Sequence, residues 1–254
     1  MYCNELLLFN TNVGKEKMDS IFNREVKCPF CERESLTDKI AEEGPLLLVK
    51  NKYPVLQDTL QTVLIETHDC NAELSVYPKE HLYRVIRFGV DNWLAMEKSV
   101  EFNSVLFFKN HGPFSGGTIA HPHMQIVGLK TVDYRKNILP EYFHGITIDR
   151  GPGTELNLST KPRIGFYEFN AILQDMANLN QLADYIQATV HYILHHFNRR
   201  CNSYNLFFYH LNDTIKVKIV PRFITSPLFV GYSIPQITDS METVVKDIQE
   251  RYYK

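Results

Sequence analysis

The most informative stretch of this sequence reads Asn110-His111-Gly112-Pro113-Phe114-Ser115-Gly116-Gly117-Thr118-Ile119-Ala120-His121-Pro122-His123-Met124-Gln125. Its first half holds three glycines and a proline and is therefore expected to be a loop, in which the glycines let backbone N–H groups approach an anion closely. Its second half alternates as a strand does. Side chains two residues apart in a strand point the same way, so His121, His123 and Gln125 are expected on one face.

This arrangement predicts a surface that handles phosphate. An isolated pair of histidines two residues apart is often only a surface pair or a hydrogen-bonded pair. The preceding glycine-rich loop and Gln125 favour function over that alternative. Pro122 has no backbone N–H, so it indicates an edge or bulged position of the strand.

The rest of the chain reads as two similar halves, residues 1–148 and 149–254. The first half is predicted to hold strands over 45–50 and 59–66, a helix over 81–103, and strands over 104–109 and 121–129. In the second half, 149–161 reads as a connection, followed by a helix over 178–199 and strands over 203–210 and 215–222. A long helix followed by two antiparallel strands thus occurs twice. We expect an internally duplicated α+β fold, with antiparallel sheets and helices packed on one side.

Bulk composition narrows the functional classes. The chain has 254 residues, 44% apolar and 22% charged, and a formal net charge of -2. No overall basic field therefore indicates nucleic acid or an anionic membrane surface. The apolar runs are too short for a bilayer span, and the N-terminus lacks the pattern of a signal peptide, so a cytoplasmic location is expected. The chain has five cysteines, of which Cys28 and Cys31 form a C-x-x-C pair, typical of metal or redox chemistry.

The stretch 110–125 resembles the active-site signature of galactose-1-phosphate uridylyltransferases and their relatives, the dinucleoside-polyphosphate phosphorylases. These enzymes form a branch of the histidine-triad superfamily, and the resemblance implies their fold. The matching positions are Asn110, Gly112, Gly116, Thr118, His121, Pro122, His123 and Gln125. Weaker similarities follow in the same order as in the family, at Cys28-Pro-Phe-Cys31, Asn51-Lys52-Tyr53, Ile65-Glu66-Thr67-His68, Ser203-Tyr204-Asn205 and Val230-Gly231-Tyr232.

The resemblance implies a nucleotidyltransferase in which His123 is the nucleophile. The imidazole attacks the α-phosphorus of a nucleotide or nucleotide sugar, and the nucleotidyl group then passes to phosphate or a phosphosugar. Gln125 is implied as a second catalytic residue. The implied nucleotide and phosphate contacts are Asn51, Tyr53, Asn110, Ser115, Gly116, Gly117 and Thr118. Tyr53 has two interpretations, since it could stack on a base or simply pack in the turn.

The resemblance also implies a structural Zn²⁺ bound by Cys28, Cys31, His68 and His121, a closed tetrahedral set. For the cysteine pair alone, the competing interpretation is a redox pair. The related uridylyltransferases have a second metal site with histidines on late strands, whereas the comparable strand here carries Lys216 and Lys218. These lysines are expected either to bind an anion or to form a solvated strand face.

Three functions remain open from the sequence. The first is the transferase. The second is a hydrolase that uses the same His123 intermediate, although the hydrolases of this superfamily carry a third histidine where this chain has Gln125. The third is a zinc-stabilised nucleotide-binding protein without turnover. The resembled uridylyltransferases are dimers with shared sites, so a homodimer is one expected assembly, and the two halves of one chain acting alone are the other.

Overall fold

The structure is a computed structural model that describes residues 6–15, 28–198 and 201–254. It divides into two compact units. Unit 1 comprises Met1–Glu73, Arg84–Lys109 and Thr118–Asn137, and unit 2 comprises Leu74–Tyr83, Asn110–Gly117 and Ile138–Lys254. The expected boundary between residues 148 and 149 stays a prediction.

Unit 1 is built on five antiparallel strands in the order β1-β2-β3-β5-β4. Their bounds are Lys39–Glu43 (β1), Leu46–Lys50 (β2), Thr59–Ile65 (β3), Ser104–His111 (β4) and His123–Leu129 (β5). Helix α1, Lys79–Glu97, connects β3 to β4. Its buried residues recur at helical spacing and include Val85, Ile86, Val90 and Trp93, and the Trp93 indole donates to the Val105 carbonyl at 2.9 Å.

Unit 2 is built on five antiparallel strands in the order β6-β7-β8-β10-β9. Their bounds are Gly145–Gly151 (β6), Thr154–Ser159 (β7), Phe169–Leu173 (β8), Tyr204–Leu211 (β9) and Thr214–Pro221 (β10). The helices are Leu179–Tyr192 (α2), Pro227–Tyr232 (α3) and Met241–Tyr252 (α4), and a π-helical turn, Ile193–Phe197, continues α2. Helix α2 packs against β7, β8 and β10, while α4 packs against β6.

The strand order of unit 2 repeats that of unit 1, with the helix in the same place along the chain. In each unit two strands form a hairpin, a third pairs with them before the helix, and the last two form a second hairpin beside the third. The predicted α+β class, with antiparallel sheets and an internal duplication, is confirmed.

Several elements differ from the sequence-based expectation. Strands β1, β6, β7 and β8 and helices α3 and α4 were not predicted, and the segment 149–161, expected to be a connection, forms most of the β6–β7 hairpin. Its Gly and Asn content reflects the turn, where Gly153 has a φ of +63°, and buried polar positions such as Asn157. The end of the predicted helix 178–199 lies outside the described residues.

The strand that carries the histidine motif is central in unit 1, between β3 and β4. It begins at His123, so Pro122 precedes the ladder instead of interrupting it. Below this end of the sheet, Phe30, Leu47, Val49, Val63 and Ile65 form a buried apolar cluster, and Cys28 and Ile119 pack against it. In the part of the chain that the structure describes, no helix combines the length and apolar character needed to cross a membrane.

Candidate active site and metal centre

Three cysteines and a histidine of unit 1 meet at one point. The sulfurs of Cys28, Cys31 and Cys70 and a ring nitrogen of His121 all lie within 4.8 Å of one another. The Nδ1 atom of His121 is 3.6 Å from both the Cys28 and the Cys31 sulfur. A turn brings the first two cysteines together, since the Cys31 N–H donates to the Cys28 carbonyl at 3.1 Å. This group could hold a metal ion.

The orientation of the His121 ring is fixed from its other side. Its Nε2 lies 2.9 Å from the Thr67 carbonyl, which can only accept a hydrogen bond. Nε2 therefore carries the proton in the neutral ring, and the Nδ1 lone pair points at the thiols. Burial is the main cause that lowers the pKa of His121, which also favours the neutral, ligating form. Such a bond to the non-ligating nitrogen is typical of metal-bound histidine.

The fourth member of the group is Cys70, whereas the family resemblance implies His68. His68 is exposed, and Cys70 is half-buried among the other ligands. Both residues lie in the irregular segment that follows β3, only two positions apart. The direction of each side chain there depends on the turn at Thr67–Asn71, where Asp69 accepts from the Asn71 N–H at 2.9 Å, and residue type alone does not reveal it.

The electrostatics of the cysteines fit a cation. Burial, together with the neighbouring Cys28 and Cys31 thiols, raises the pKa of Cys70 to about 12, and burial also raises the pKa of Cys31. Three sulfurs so close together disfavour thiolates unless positive charge compensates them. Soft sulfur donors with one imidazole are a ligand set for a divalent transition metal.

His123 lies two residues further on and is buried, with 8% of its surface exposed. Its Nδ1 is 2.8 Å from the His121 carbonyl, which again can only accept. Nδ1 therefore carries the proton, and Nε2 has the lone pair of the neutral ring. Burial lowers the pKa of His123 to about 4, so the ring is neutral near pH 7.

One aromatic ring connects the two histidines. Phe30, which lies between Cys28 and Cys31 in the sequence, packs edge-on against both imidazoles. Its ring centre is 5.9 Å from that of His121 and 5.3 Å from that of His123. The turn that carries two of the clustered cysteines thus also forms an apolar wall beside His123. Because β5 begins at His123, His121 lies before the strand, and the expected common strand face of His121, His123 and Gln125 stays a prediction.

A buried ion pair beside His123 was not anticipated from the sequence. Lys109 is the last residue of β4 that belongs to unit 1. It pairs with Glu66, which directly follows β3. The ammonium group also donates to the His123 carbonyl at 3.3 Å. Both residues are visible in the sequence as a charge next to an apolar strand, but nothing there shows that they face each other.

The glycine-rich loop lies in unit 2, where Asn205 of β9 holds its ends. The Asn205 amide donates to Asn110 Oδ1 at 2.6 Å and to the Ser115 carbonyl at 3.0 Å. Arg222 donates to the Asn205 oxygen at 2.7 Å. The Gly117 N–H donates to Ser115 Oγ at 3.2 Å. One of the backbone N–H groups expected to approach an anion therefore makes a hydrogen bond within the loop.

The remaining predicted contacts have ordinary local environments. Asn51 Oδ1 accepts from the Tyr53 N–H at 2.9 Å and closes a turn, with the Lys52 ammonium 5.5 Å from the Tyr53 ring centre. Thr118 is exposed, and Gln125 is half-buried opposite Val63 of β3. The nucleotide and phosphate roles of these residues, and of Asn110, Ser115, Gly116 and Gly117, stay predictions.

Comparison with known families accounts for nearly the whole chain. Residues 9–132 match the family described as "Domain of unknown function (DUF4931) N-terminal domain", and residues 135–253 match its C-terminal counterpart. A crystal structure of a DUF4931 family protein from Bacillus cereus is 48% identical, with a TM-score of 0.79 over 85% of this chain and 100% of that one. The chain belongs to the DUF4931 family. No curated protein matches it.

The fold of this DUF4931 chain is shared with distant enzymes. It is similar to an ADP-glucose phosphorylase from Arabidopsis thaliana with bound ADP-glucose, at 15% identity and a TM-score of 0.71, covering 89% of this chain and 91% of that one. It is also similar to a uridylyltransferase, at 15% identity and a TM-score of 0.67, with the same coverages. The resemblance inferred from the histidine motif is thus confirmed for the fold.

The DUF4931 chain differs from the expected alternatives at the two lysines of β10. Lys218 is not on a solvated face, because only 1% of its side chain is exposed and it pairs with Glu168 at 2.8 Å. Lys216 is half-buried, with its ammonium 4.8 Å from the Phe143 ring centre. In unit 2 the strand equivalent to β5 therefore contributes a buried ion pair.

Proposed function

We propose that this protein is a nucleotidyltransferase that works through a covalent nucleotidyl-His123 intermediate. It moves a nucleoside monophosphate from a nucleoside diphosphosugar or dinucleoside polyphosphate to phosphate or a phosphosugar. The observation that carries the proposal is the state of the His123 ring. Its Nδ1 proton is engaged by the His121 carbonyl, so Nε2 offers a lone pair as the nucleophilic atom.

The chemistry is a displacement in two halves. In the first, the Nε2 lone pair attacks the α-phosphorus, a P–N bond forms, and the leaving phosphate oxygen departs with the electrons of the broken P–O bond. In the second, an acceptor phosphate oxygen attacks the same phosphorus, and the P–N electrons return to Nε2. The His121 carbonyl holds the Nδ1 proton and so stabilises the positive charge that develops on the ring.

The donor class rests on the fold relatives. The ADP-glucose phosphorylase structure contains ADP-glucose, and the uridylyltransferase is named for the transfer of a nucleotidyl group. Gln125 occupies the last position of the motif, where the hydrolases of the superfamily carry histidine, and this favours transfer to an acceptor over transfer to water.

We further propose that the metal is Zn²⁺ and that it is structural. Cys28, Cys31, Cys70 and His121 would hold it as a closed four-ligand set, which suits Zn²⁺ and leaves no open position for substrate. When bound, the ion supplies a cross-link that fixes His121, whose carbonyl in turn orients the His123 ring.

Intact-protein mass spectrometry tests the proposal. The protein is mixed separately with UDP-glucose, ADP-glucose and diadenosine tetraphosphate, then quenched at alkaline pH, where a phosphorus–nitrogen bond to histidine survives. We expect a mass gain of one nucleoside monophosphate with at least one donor, and none in His123→Ala. His68→Ala, which removes an exposed histidine from unit 1, is the matched control and should label like the wild type.

The alternatives give different results in the same experiment. A hydrolase would consume the donor without an acceptor and show only a transient adduct at short times. A nucleotide-binding protein without turnover would be thermally stabilised by the donor yet gain no mass. A persistent adduct that also forms in His123→Ala would overturn the assignment of the nucleophile.

A further inference from the structure

The buried pair of Lys109 and Glu66 lies at the start of the strand that carries His123. Only 2% of the Lys109 side chain and 0% of the Glu66 side chain are exposed. A buried ion pair is weak evidence for stability, because desolvation of the two charges can exceed their attraction. The contacts that the pair makes with the surrounding backbone therefore indicate what it does.

Those contacts converge on the backbone around His123. The paired register of β4 and β5 runs from Ser104 opposite Leu129 to Phe108 opposite Gln125, so His123 lies beyond its end. Pro122 has no N–H to offer to a neighbouring strand. Beyond the register, the Lys109 ammonium donates to the His123 carbonyl at 3.3 Å.

The other partner acts on the residue before. The Glu66 N–H donates to the Pro122 carbonyl at 3.1 Å, while the Glu66 carboxylate binds the Lys109 ammonium. The Pro122 carbonyl is thus held by the Glu66 backbone, and the His123 carbonyl is held by the Lys109 ammonium, whose position the Glu66 carboxylate fixes between the ends of β3 and β4. Together with the Nδ1 bond to His121, this leaves the imidazole little freedom to change its position.

We infer that Lys109 and Glu66 are positioning residues for His123: they hold its backbone so that Nε2 meets the phosphorus in the productive direction. This inference rests on the proposed function. Neither residue needs to touch the substrate for this role. Small displacements of a reacting group lower the rate of the chemical step far more than they lower substrate affinity.

Unit 2 provides a matched control, the equally buried pair of Lys218 and Glu168, each with 1% of the side chain exposed. The test compares two charge-free double variants, Lys109→Met with Glu66→Leu, and Lys218→Met with Glu168→Leu. Replacing both partners by apolar groups is often neutral or stabilising, so both proteins should fold. The single variant Glu66→Gln, which keeps the shape and weakens the charge pair, is made in addition.

Three quantities are measured in each protein: the single-turnover rate of nucleotidyl adduct formation, the donor dissociation constant, and the ¹⁵N chemical shifts of the His123 ring nitrogens. We expect the unit 1 double variant to form adduct roughly 10-fold to 100-fold more slowly, with donor affinity unchanged. Its His123 shifts should move away from a single Nδ1-protonated form. Glu66→Gln should lie between it and the wild type, and the unit 2 variant should match the wild type in all three.

The inference is overturned if the unit 1 variant labels at the wild-type rate with wild-type His123 shifts, or if both double variants slow the reaction equally. If the wild type forms no adduct with any donor, the proposed function fails separately. The ring shifts then still decide the positioning role, because unchanged shifts in the unit 1 variant refute it and altered shifts in that variant alone support it.

Discussion

The two units of this protein have the same strand order but use equivalent strands differently. In unit 1, β5 begins at His123, two residues after the His121 of the cysteine–histidine cluster, and the buried Lys109 of the neighbouring strand β4 contacts the His123 backbone. In unit 2, β10 carries Lys218, whose ammonium pairs with Glu168 and donates to Asn170 Oδ1 at 3.0 Å. The strand arrangement is therefore duplicated, while the cysteine–histidine cluster and His123 belong to unit 1.

This difference shows which positions of the duplicated strand arrangement must be apolar and which can be polar. Each unit needs alternating apolar residues against its helix, such as Ile215, Val217 and Ile219 of β10, which are all buried. The intervening positions of the same strand are free to hold polar groups, provided that partners are present. Burial of Lys218 lowers its pKa, and the Glu168 carboxylate opposes that shift, so the pair stays together inside the protein.

The largest expected effect is loss of the proposed metal from unit 1. Cys70→Ser removes one of the four proposed ligands, and metal binding at such sites contributes on the order of 10 kcal/mol. We expect zinc content, measured by elemental analysis, to fall sharply, and amide hydrogen exchange to rise in β3 and β5 but not in β8 and β10. His68→Ala should retain the metal. Full zinc content in Cys70→Ser, or its loss in His68→Ala, would restore His68 as the ligand.

The second-largest effect is expected from disrupting the buried ion pair of unit 2. Lys218→Met leaves the Glu168 carboxylate buried without its partner, which should cost about 3–5 kcal/mol of unfolding free energy. Denaturant unfolding of the metal-loaded protein measures this loss. Adding Glu168→Leu should recover much of it. A single variant as stable as the wild type would mean that the pair is not buried in solution.

A smaller effect is expected where Asn205 holds the glycine-rich loop. Asn205→Ala removes the donor to Asn110 and Ser115 and the acceptor of Arg222, with an expected cost of about 2–3 kcal/mol. The exposed Asn180→Ala in α2 is the control and should change stability by less than about 0.5 kcal/mol. Equal stabilities of the two variants would show that the loop does not depend on Asn205.

The smallest effect concerns two glycines that both have open space around the Cα. Gly116 has a φ of +85°, whereas Gly231 lies in helix α3 without a positive φ, and a Cβ at either position meets nothing within 4 Å. Gly116→Ala should therefore cost about 1–2 kcal/mol from backbone strain alone. Gly231→Ala should be neutral or slightly stabilising. Thermal unfolding distinguishes them, and equal effects would argue against the left-handed backbone at Gly116.

The sequence was most informative where periodicity and motif agreed. Strands β2, β3, β5, β9 and β10 and helices α1 and α2 have clear apolar spacing, and the signature around His123 identified the fold. Strands β6 and β7 were missed because their buried positions include Thr154, Asn157 and Ser159, whose burial depends on partners elsewhere in unit 2. Asn157, for example, accepts from the Asn170 amide at 2.8 Å.

The same limit applies to the site. Cys28 and Cys31 could be paired from spacing alone, because a C-x-x-C turn brings its own ends together. The choice between His68 and Cys70 depended on the direction of a turn, and the pairing of Lys109 with Glu66 depended on the register of β3, β5 and β4. Long-range relations of this kind are set by the folded sheet and not by local residue type.

Phe30 has a consequence beyond packing. It belongs to the turn of Cys28 and Cys31, yet its ring touches the imidazoles of both His121 and His123. Under the proposed function, the same ring therefore contacts both a metal ligand and the nucleophile. Because coupling between two binding sites is reciprocal, a nucleotide that binds more tightly to the metal-loaded protein also strengthens metal binding by the same factor. A donor-saturated protein would then release its metal to a chelator more slowly than the free protein does.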